Sequence, residues 1–147
     1  MNEEETRLVH RSHHEAMIEG NEALIEEIYG EDFVNHSRGL PEYLRHGPES
    51  IRQQYRFLRS AFSDMEMESH QQTVEGNLIG LRWTWKARHT GDFLGIPATG
   101  AQVRIDGFDM LQIEDGKIRA AWIIQDGAGL MAQLQAAAAR SGSVGGG

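Results

Sequence analysis

The sequence predicts an α+β domain in which helices come first and antiparallel strands follow. Apolar residues recur at helical spacing in three segments before residue 63, and from Asp64 onward they alternate with polar residues. A change of period from about 3.6 to about two residues marks a change from helix to strand. Helices grouped at the start of a chain and neighbouring antiparallel strands after them are typical of the α+β class.

Three helices are expected, over residues 5–18, 22–29 and 48–62. Asn21 can cap the start of the second helix, and Gly30 can end it. The third helix has the clearest pattern, because Pro48 suits a first turn and an apolar stripe follows it, formed by Ile51, Tyr55, Leu58 and Phe62.

A series of consecutive strands begins near Asp64. In the first strand of this series, Met65 and Met67 share one face. Two longer runs follow, from Leu78 to Ala87 and from Val103 to Ile113. Asp115-Gly116 is a strong signal for a hairpin turn, and the returning strand runs from Lys117 to Gln125. In the run that starts at Val103 the odd-numbered residues are mostly apolar, so that side must be the core face.

Length, charge and composition predict the number of domains, the kinds of partner and the cellular setting. The 147 residues suit one domain, assigned to residues 1–140, and the Ser- and Gly-rich stretch 141–147 predicts a disordered tail. The formal net charge of −8 argues against a nucleic-acid partner, which needs a basic surface. No apolar run approaches the roughly 20 residues that cross a bilayer. Since cysteine is absent as well, a cytoplasmic protein without a membrane partner is expected.

The connection between the two longest runs carries the most specific motif. It reads HTGDFLGIPATG from His89 to Gly100, and its glycines and proline give a shaped loop between two strands. The segment resembles, almost residue for residue, a segment of the SnoaL-like polyketide cyclases, a family of the nuclear transport factor 2-like superfamily. Shorter matches follow the same order along the chain: Asp32 to His36, Gly47-Pro48, Phe62 to Asp64, Gly107 to Asp109, Glu114 to Ile118, and Trp122 with Asp126.

The resemblance implies a cone-shaped domain in which a curved antiparallel sheet wraps around N-terminal helices. It implies a cyclase that closes a ring by intramolecular aldol condensation of a hydrophobic, carbonyl-bearing molecule such as a polyketide intermediate. The implied mechanism is acid–base chemistry without a metal or an organic cofactor. Relatives of this fold commonly pair through the sheet, so a homodimer is expected. Four large apolar residues on its outer face support that pairing: Phe108, Met110, Trp122 and Ile124.

Two positions depart from the family pattern. Members of the family often carry an acidic residue directly after the tryptophan of the last strand, and many carry a histidine directly before it. This chain has Ile123 and Ala121 there. Two alternatives to a cyclase therefore stay open. One is a protein that binds a hydrophobic ligand without transforming it, and the other is an epoxide hydrolase or hydroxylase-like relative on the same fold.

Asp109 is the strongest candidate for a catalytic acid or base. It lies on the apolar, odd-numbered face of its strand, where a carboxylate is costly unless it is paired or lines a polar cavity. A structural role is equally open, in which the carboxylate accepts a hydrogen bond from the backbone or from the indole of Trp122.

Four other polar residues are candidates for the site. His89 opens the motif loop, where it can move protons at a cavity mouth or fix the loop by a hydrogen bond. Asn35 and His36 follow Phe33 on an expected first strand, so if Phe33 faces the core, Asn35 does too and His36 faces outward, unless a bulge changes the parity. Both are candidates for substrate contact. Gln125, near the end of the last strand, can supply a hydrogen bond in place of the missing acid.

Large apolar side chains complete the set of candidates for a substrate pocket. A flat aromatic wall binds a planar ligand, although a place in the core is the more common fate of such residues. Methionine adds an adaptable apolar surface. The candidates are Tyr55, Met67, Trp83, Trp85 and Trp122.

Three histidines near the start of the chain, His10, His13 and His14, invite a metal-site interpretation. His10 and His14 are four residues apart and can share one helix face. However, His14-Glu15 is not followed by the second histidine of a zinc-binding helix, and no cysteine stands nearby. A surface helix is the preferred interpretation, and no metal is expected.

Overall fold

The computed structural model describes residues 3–146, with side chains described through residue 140. Helix α1 spans Glu3–His10 and continues as a π-helical segment over Arg11–Ile18. A 3₁₀ turn leads into the short helix α2, Ile25–Ile28. Helix α3 spans Gly47–Ala61, and helix α4 spans Gly127–Gly146.

Among the described residues, five strands form one curved sheet in the order β1-β5-β4-β3-β2. Neighbouring strands are antiparallel except β1, which runs parallel to β5, and helix α3 leads from β1 to β2 at the opposite edge of the sheet. The α+β prediction is confirmed, with this one parallel pair as a correction. The strands are β1 Tyr29–Asn35, β2 Phe62–Glu75, β3 Leu78–His89, β4 Gln102–Glu114 and β5 Lys117–Gln125.

Several predicted ends of helices are corrected by pairing in the sheet. The second helix ends at Ile28 instead of residue 29, because Tyr29 is already extended and pairs with Ile118. Asn21 makes no side-chain cap hydrogen bond at the start of that segment. Phe62, predicted as the end of the third helix, has extended backbone angles and begins β2. Long-range ladder bonds therefore outweigh the local signals at these positions.

The predicted hairpin between β4 and β5 is confirmed. Asp115 and Gly116 have φ angles of 51° and 73°, the positive values that a type I′ turn requires at both central positions. The predicted disordered tail over 141–147 stays a prediction, because residue 147 and the side chains from 141 onward lie outside the described residues. No helix among residues 3–146 is long and apolar enough to cross a membrane.

The core lies between one face of the sheet and the helices α1 to α3. Along β4 the odd-numbered residues from 103 to 111 are buried and the even-numbered residues between them are exposed, as the alternation predicted. Gly107 belongs to the buried set, and its lack of a side chain makes room for the indole of Trp83. A Cβ atom at Gly107 would lie 2.3 Å from Cζ2 of that ring.

The opposite face of the sheet carries an exposed apolar patch. Phe108 pairs with Ile124, and Met110 pairs with Trp122, across the β4–β5 ladder. These four side chains are 40–76% exposed. Helix α4 does not cover these four side chains. It contacts β4 at Arg104, where the side-chain amide of Gln133 makes hydrogen bonds with the backbone N–H and C=O.

We expect Gly107→Ala to destabilise the protein by about 1–3 kcal/mol, because a methyl group forces the Trp83 ring out of its packed position. The measurement is the free energy of unfolding in urea. Gly127→Ala is the matched control, since a Cβ there has no heavy atom within 4 Å. Equal stability of the two variants would show that Trp83 adjusts without cost.

Candidate active site

Asp109 lies on the core face of β4 with 7% of its surface exposed. The indole N–H of Trp83, on the neighbouring strand β3, donates to Asp109 Oδ1 over 2.9 Å. The indole of Trp122 was the donor that the sequence left open, but Trp122 lies on the opposite face of the sheet. Trp83 therefore fixes one carboxylate oxygen and leaves the other for a second partner.

His13 faces that second oxygen. Its Nε2 atom lies 3.7 Å from Asp109 Oδ2, which is longer than a hydrogen bond but close enough for an ion pair when the imidazole is protonated. His13 is buried and comes from the π-helical segment after α1. His13 was not predicted as a catalytic residue, although it stands four residues from both Val9 and Met17 on the predicted apolar stripe.

Three buried hydroxyl groups form a cluster beside this pair. Ser12 Oγ lies 2.7 Å from the hydroxyl of Tyr29 and 2.8 Å from that of Tyr55, and the two tyrosine oxygens are 3.2 Å apart. Burial is the largest cause that raises the pKa of both tyrosines, that of Tyr29 to well above its usual value. Both phenols therefore stay protonated at neutral pH. Tyr55 was a candidate from the sequence, whereas Ser12 and Tyr29 were not.

The pair and the cluster line one small cavity. Its polar lining consists of Ser12, His13, Tyr29, Gln54, Tyr55 and Asp109. Its apolar walls come from Val9, Phe33, Ile51, Leu111, Ala121 and Ile123. The volume is about 60 Å³, room for about four water molecules, whereas sites for drug-sized ligands measure about 300–1,000 Å³. The cavity thus admits the reacting end of a molecule, and a polycyclic ligand fits only if side chains move.

A larger groove of about 390 Å³ lies where the π-helical segment meets β2 and β3. Met67, a candidate from the sequence, lines this groove with His14 and Met65. Its acidic residues, Glu66 and Glu68, are exposed to solvent. We favour the smaller cavity as the active site, because there a carboxylate, an imidazole and three hydroxyls are buried together.

His89 fixes the motif loop and does not reach the cavity. Its side chain is fully buried, and its Nδ1 atom accepts the backbone N–H of Thr99 over 3.2 Å and lies 2.9 Å from Thr99 Oγ1. The ring also packs against Phe62. The structure thus favours the loop-fixing role of the two that the sequence left open, and a proton-shuttling His89 would need access that this burial denies.

The parity expected for the first strand is confirmed. Phe33 and Asn35 are buried, and His36 is exposed. Asn35 Oδ1 accepts hydrogen bonds from the backbone and the hydroxyl of Ser37, at 3.0 and 2.5 Å. His36 stacks on Trp122 outside the sheet, with ring centroids 4.9 Å apart. Neither Asn35 nor His36 is among the residues that line the small cavity.

Four other candidates are also absent from the cavity lining, and one of them, Trp83, is linked to it through the hydrogen bond to Asp109. Trp85 is buried in the core with its ring edge against Phe62, and Trp122 lies on the outer patch. Gln125 is exposed at the end of β5. Alternation along a strand identifies the face of a side chain, but the position along the strand decides whether it reaches the cavity. In the part of the chain that the structure describes, no group of three or more His, Cys, Asp or Glu residues is placed to hold a metal ion.

A family model for SnoaL-like polyketide cyclases matches residues 7–134. The chain belongs to the SnoaL-like polyketide cyclase family. It is 30% identical to aklanonic acid methyl ester cyclase DauD of Streptomyces sp. (strain C5) over 97 residues, 60% of this chain and 58% of that protein. It is 32% identical to aklanonic acid methyl ester cyclase DnrD of Streptomyces peucetius over 77 residues, 50% of this chain and 51% of that protein. The matched region spans a little over half the length of each relative.

Solved structures agree with the fold. TsrD from Streptomyces laurentii superposes with a TM-score of 0.78 at 25% identity, over 91% of this chain and 97% of that chain. A protein from Acidithiobacillus ferrooxidans superposes with a TM-score of 0.82 at 22% identity, over 93% of this chain and 98% of that chain. These matches confirm the α+β architecture that the resemblance implied.

The two departures from the family pattern fall inside the small cavity. Ala121 and Ile123, which stand where SnoaL-like cyclases often carry histidine and an acid, both line it. Asp109 is the Cα partner of Ile123 across the β4–β5 ladder. His13 reaches the same space from the helical side. An acid and a histidine are therefore present in the cavity, but they come from other elements.

We expect the protein to lose stability in alkali because of Tyr29 and Tyr55. A tyrosine of the unfolded chain ionises near pH 10, whereas the raised pKa values keep both phenols protonated in the fold. Each such tyrosine lowers the free energy of unfolding by about 1.4 kcal/mol for every pH unit above that value. The folded state binds more protons above about pH 10, so the free energy of unfolding falls as pH rises beyond that value.

Urea unfolding between about pH 8 and pH 11 measures this loss. The double variant Tyr29→Phe/Tyr55→Phe should flatten the alkaline part of the curve. An unchanged slope in that variant would contradict the assignment.

Proposed function

We propose that this SnoaL-like protein is a cofactor-independent cyclase that acts by acid–base chemistry on a hydrophobic, carbonyl-bearing small molecule. The observation that carries the proposal is the buried Asp109 carboxylate, which lines an apolar cavity together with an imidazole and three hydroxyls. A carboxylate in such surroundings is costly for stability, which is typical of groups that are retained for function.

Asp109 acts as the general base in this proposal. It removes a proton from the carbon next to a carbonyl group, and the resulting enolate carbon attacks a second carbonyl of the same molecule. The new oxygen atom then takes up a proton, so the reaction is an isomerisation that needs no other reactant. Trp83 holds Oδ1 by its 2.9 Å hydrogen bond, which leaves Oδ2 as the oxygen that faces His13. His13 stabilises the carboxylate when its imidazole is protonated.

The names of the relatives suggest the class of substrate. DauD and DnrD are aklanonic acid methyl ester cyclases, so an ester-bearing polyketide is a suitable first probe for this chain. The cavity of about 60 Å³ accepts the reacting carbonyl end of such a molecule. The remaining rings of the molecule fit only if side chains at the cavity mouth move aside.

The proposal includes no metal or organic cofactor and a cytoplasmic setting. Proton transfer beside a carbonyl needs a positioned base and a hydrogen-bond donor, and both groups are side chains of this cavity. The cytoplasmic setting is supported by a sequence without cysteine, since disulfides are the usual mark of secreted domains.

We expect Asp109→Asn to lower turnover of aklanonic acid methyl ester by at least about 100-fold, because general acid–base help of this kind contributes about 10²–10⁴. Chromatographic detection of the cyclised product is the measurement. Asp106→Asn is the matched control, since Asp106 lies on the exposed face of the same strand. Equal turnover in Asp109→Asn and the wild type would remove Asp109 from the mechanism. Recovery of the probe bound but unchanged would favour the alternative of a ligand-binding protein.

A homodimer through the outer face of the sheet is also part of the proposal. Phe108, Met110, Trp122 and Ile124 form a contiguous exposed patch there, and the Leu130 and Leu134 side chains of α4 are buried elsewhere in the fold. Monomers rarely leave such a patch open to water. Pairing two copies about a two-fold axis would bury it, because the same surface then meets itself.

Light scattering at micromolar concentration tests the dimer. We expect a mass near twice the chain mass of 16.5 kDa. Phe108→Glu should shift the protein toward the monomer, because it places a charge in the proposed interface. Tyr43→Glu serves as the control, since Tyr43 is 73% exposed and lies outside the sheet. A wild-type mass near 16.5 kDa would defeat the proposal.

A further inference from the structure

The hydroxyl cluster has three hydrogens and three contacts within hydrogen-bond distance, one of which is longer than the other two. Each of the three hydroxyls carries a single hydrogen. Ser12 Oγ makes the two short contacts, 2.7 Å to Tyr29 and 2.8 Å to Tyr55, so it can donate to one tyrosine and accept from the other. The tyrosine that accepts from Ser12 then keeps its own hydrogen. The remaining contact between the two tyrosines is the longest of the three, at 3.2 Å, and is the weakest competitor for that hydrogen.

The hydrogen of this longest contact belongs to a group that stays neutral in the presence of a nearby base. Burial raises the pKa of both tyrosines, and the charge of Asp109 raises both further. Neither phenol therefore gives up its proton to solvent at neutral pH. Tyr29, Tyr55 and Asp109 all line the same cavity. A hydrogen-bond donor and a proton acceptor thus face one small volume from different elements.

We propose that the cluster of Ser12, Tyr29 and Tyr55 binds the carbonyl oxygen of the substrate while Asp109 takes the proton from the neighbouring carbon. This inference rests on the proposed function and adds to it the group that stabilises the enolate. The two tyrosines are catalytic residues in this account, because they touch the reacting oxygen. Ser12 is a positioning residue, because it acts through the tyrosines.

The step balances without any other reactant. The C–H bond beside the carbonyl breaks, and its electron pair forms the carbon–carbon double bond of an enolate. The π electrons of the carbonyl move onto its oxygen, where the tyrosine hydroxyl donates to the developing charge. The proton stays on Asp109 until ring closure creates an alkoxide, which takes it up. Donors placed in advance at a developing oxyanion in a dry site are worth about 10²–10³ in rate each.

The surroundings favour this use of the cluster over a purely structural one. Apolar side chains on the facing walls, among them Phe33, Leu111 and Ile123, lower the local dielectric constant of the cavity. Hydrogen bonds to charge are stronger in such low-dielectric surroundings than in water. A cluster that only stabilised the fold would have no need to line the cavity that holds Asp109.

The test uses acetone labelled with ¹³C at its carbonyl carbon, because its four heavy atoms match a cavity with room for about four water molecules. Two quantities are measured by NMR on the intact protein: the chemical shift of the bound carbonyl carbon, and the rate at which deuterium from D₂O replaces the hydrogens beside the carbonyl. We expect a downfield shift on binding and accelerated exchange in the wild type. Asp109→Asn should keep the shift and lose the exchange.

The variants Tyr29→Phe and Tyr55→Phe keep each ring and its packing but remove a hydroxyl. Each should reduce the shift and the exchange rate, and the double variant should slow exchange by about 10²–10³-fold. Ser12→Ala should give a smaller loss of both, since the tyrosines remain. Tyr43→Phe, at an exposed tyrosine outside the cavity, is the matched control and should match the wild type. Thermal unfolding of every variant checks that the fold is kept.

The outcomes separate this inference from the proposed function. A carbonyl shift and an exchange rate that are unchanged in the double tyrosine variant would overturn the inference and leave Asp109 as the base. Absence of any bound carbonyl signal in the wild type would overturn it as well. Unchanged exchange in Asp109→Asn would instead overturn the proposed function, whatever the tyrosine variants show.

Discussion

Asp109 is a carboxylate that the alternation of β4 turns toward the core, and much of the interior is arranged around it. Removing a carboxylate from water costs several kcal/mol unless partners replace the lost hydration. Trp83 supplies one partner through its indole, and that indole fits only because position 107 has no side chain. His13 supplies a second, from the helical side of the core. Trp83 on β3, Gly107 and His13 therefore all contribute to the surroundings of one buried carboxylate.

The cavity contains an acid and a histidine although the last strand carries neither. Ala121 and Ile123 make the last strand apolar where SnoaL-like cyclases often carry a histidine and an acid. The acid of this chain stands directly across the ladder, at the Cα partner of Ile123. Residues paired across a ladder on the same face are close neighbours, so an acid on either strand reaches the same space. In this chain the acid reaches the cavity from β4 and the histidine reaches it from the first helical segment.

The two faces of the sheet separate two kinds of apolar surface. The inner face packs against helices and encloses the polar groups of the cavity. The outer face presents Phe108, Met110, Trp122 and Ile124 to solvent, with His36 stacked on the indole. Because successive side chains of a strand point to opposite faces, a residue one position away belongs to the other surface. Trp122 and Ile123 are adjacent in the chain, yet one lies on the outer patch and the other lines the cavity.

The sequence by itself determined the order of helices and strands, the faces of β1 and β4, the β4–β5 hairpin and the family. These features depend on residues close together in the chain, whose periodicity and turn chemistry are local. It also singled out Asp109, because a carboxylate on an apolar face is visible in the pattern. Only the tertiary structure decided which indole holds that carboxylate, that His89 fixes a loop, and that His13, Tyr29 and Tyr55 meet at one cavity. Those side chains come from separate helices and strands, and their distances depend on how far along each element the packing brings them together, which no local period encodes.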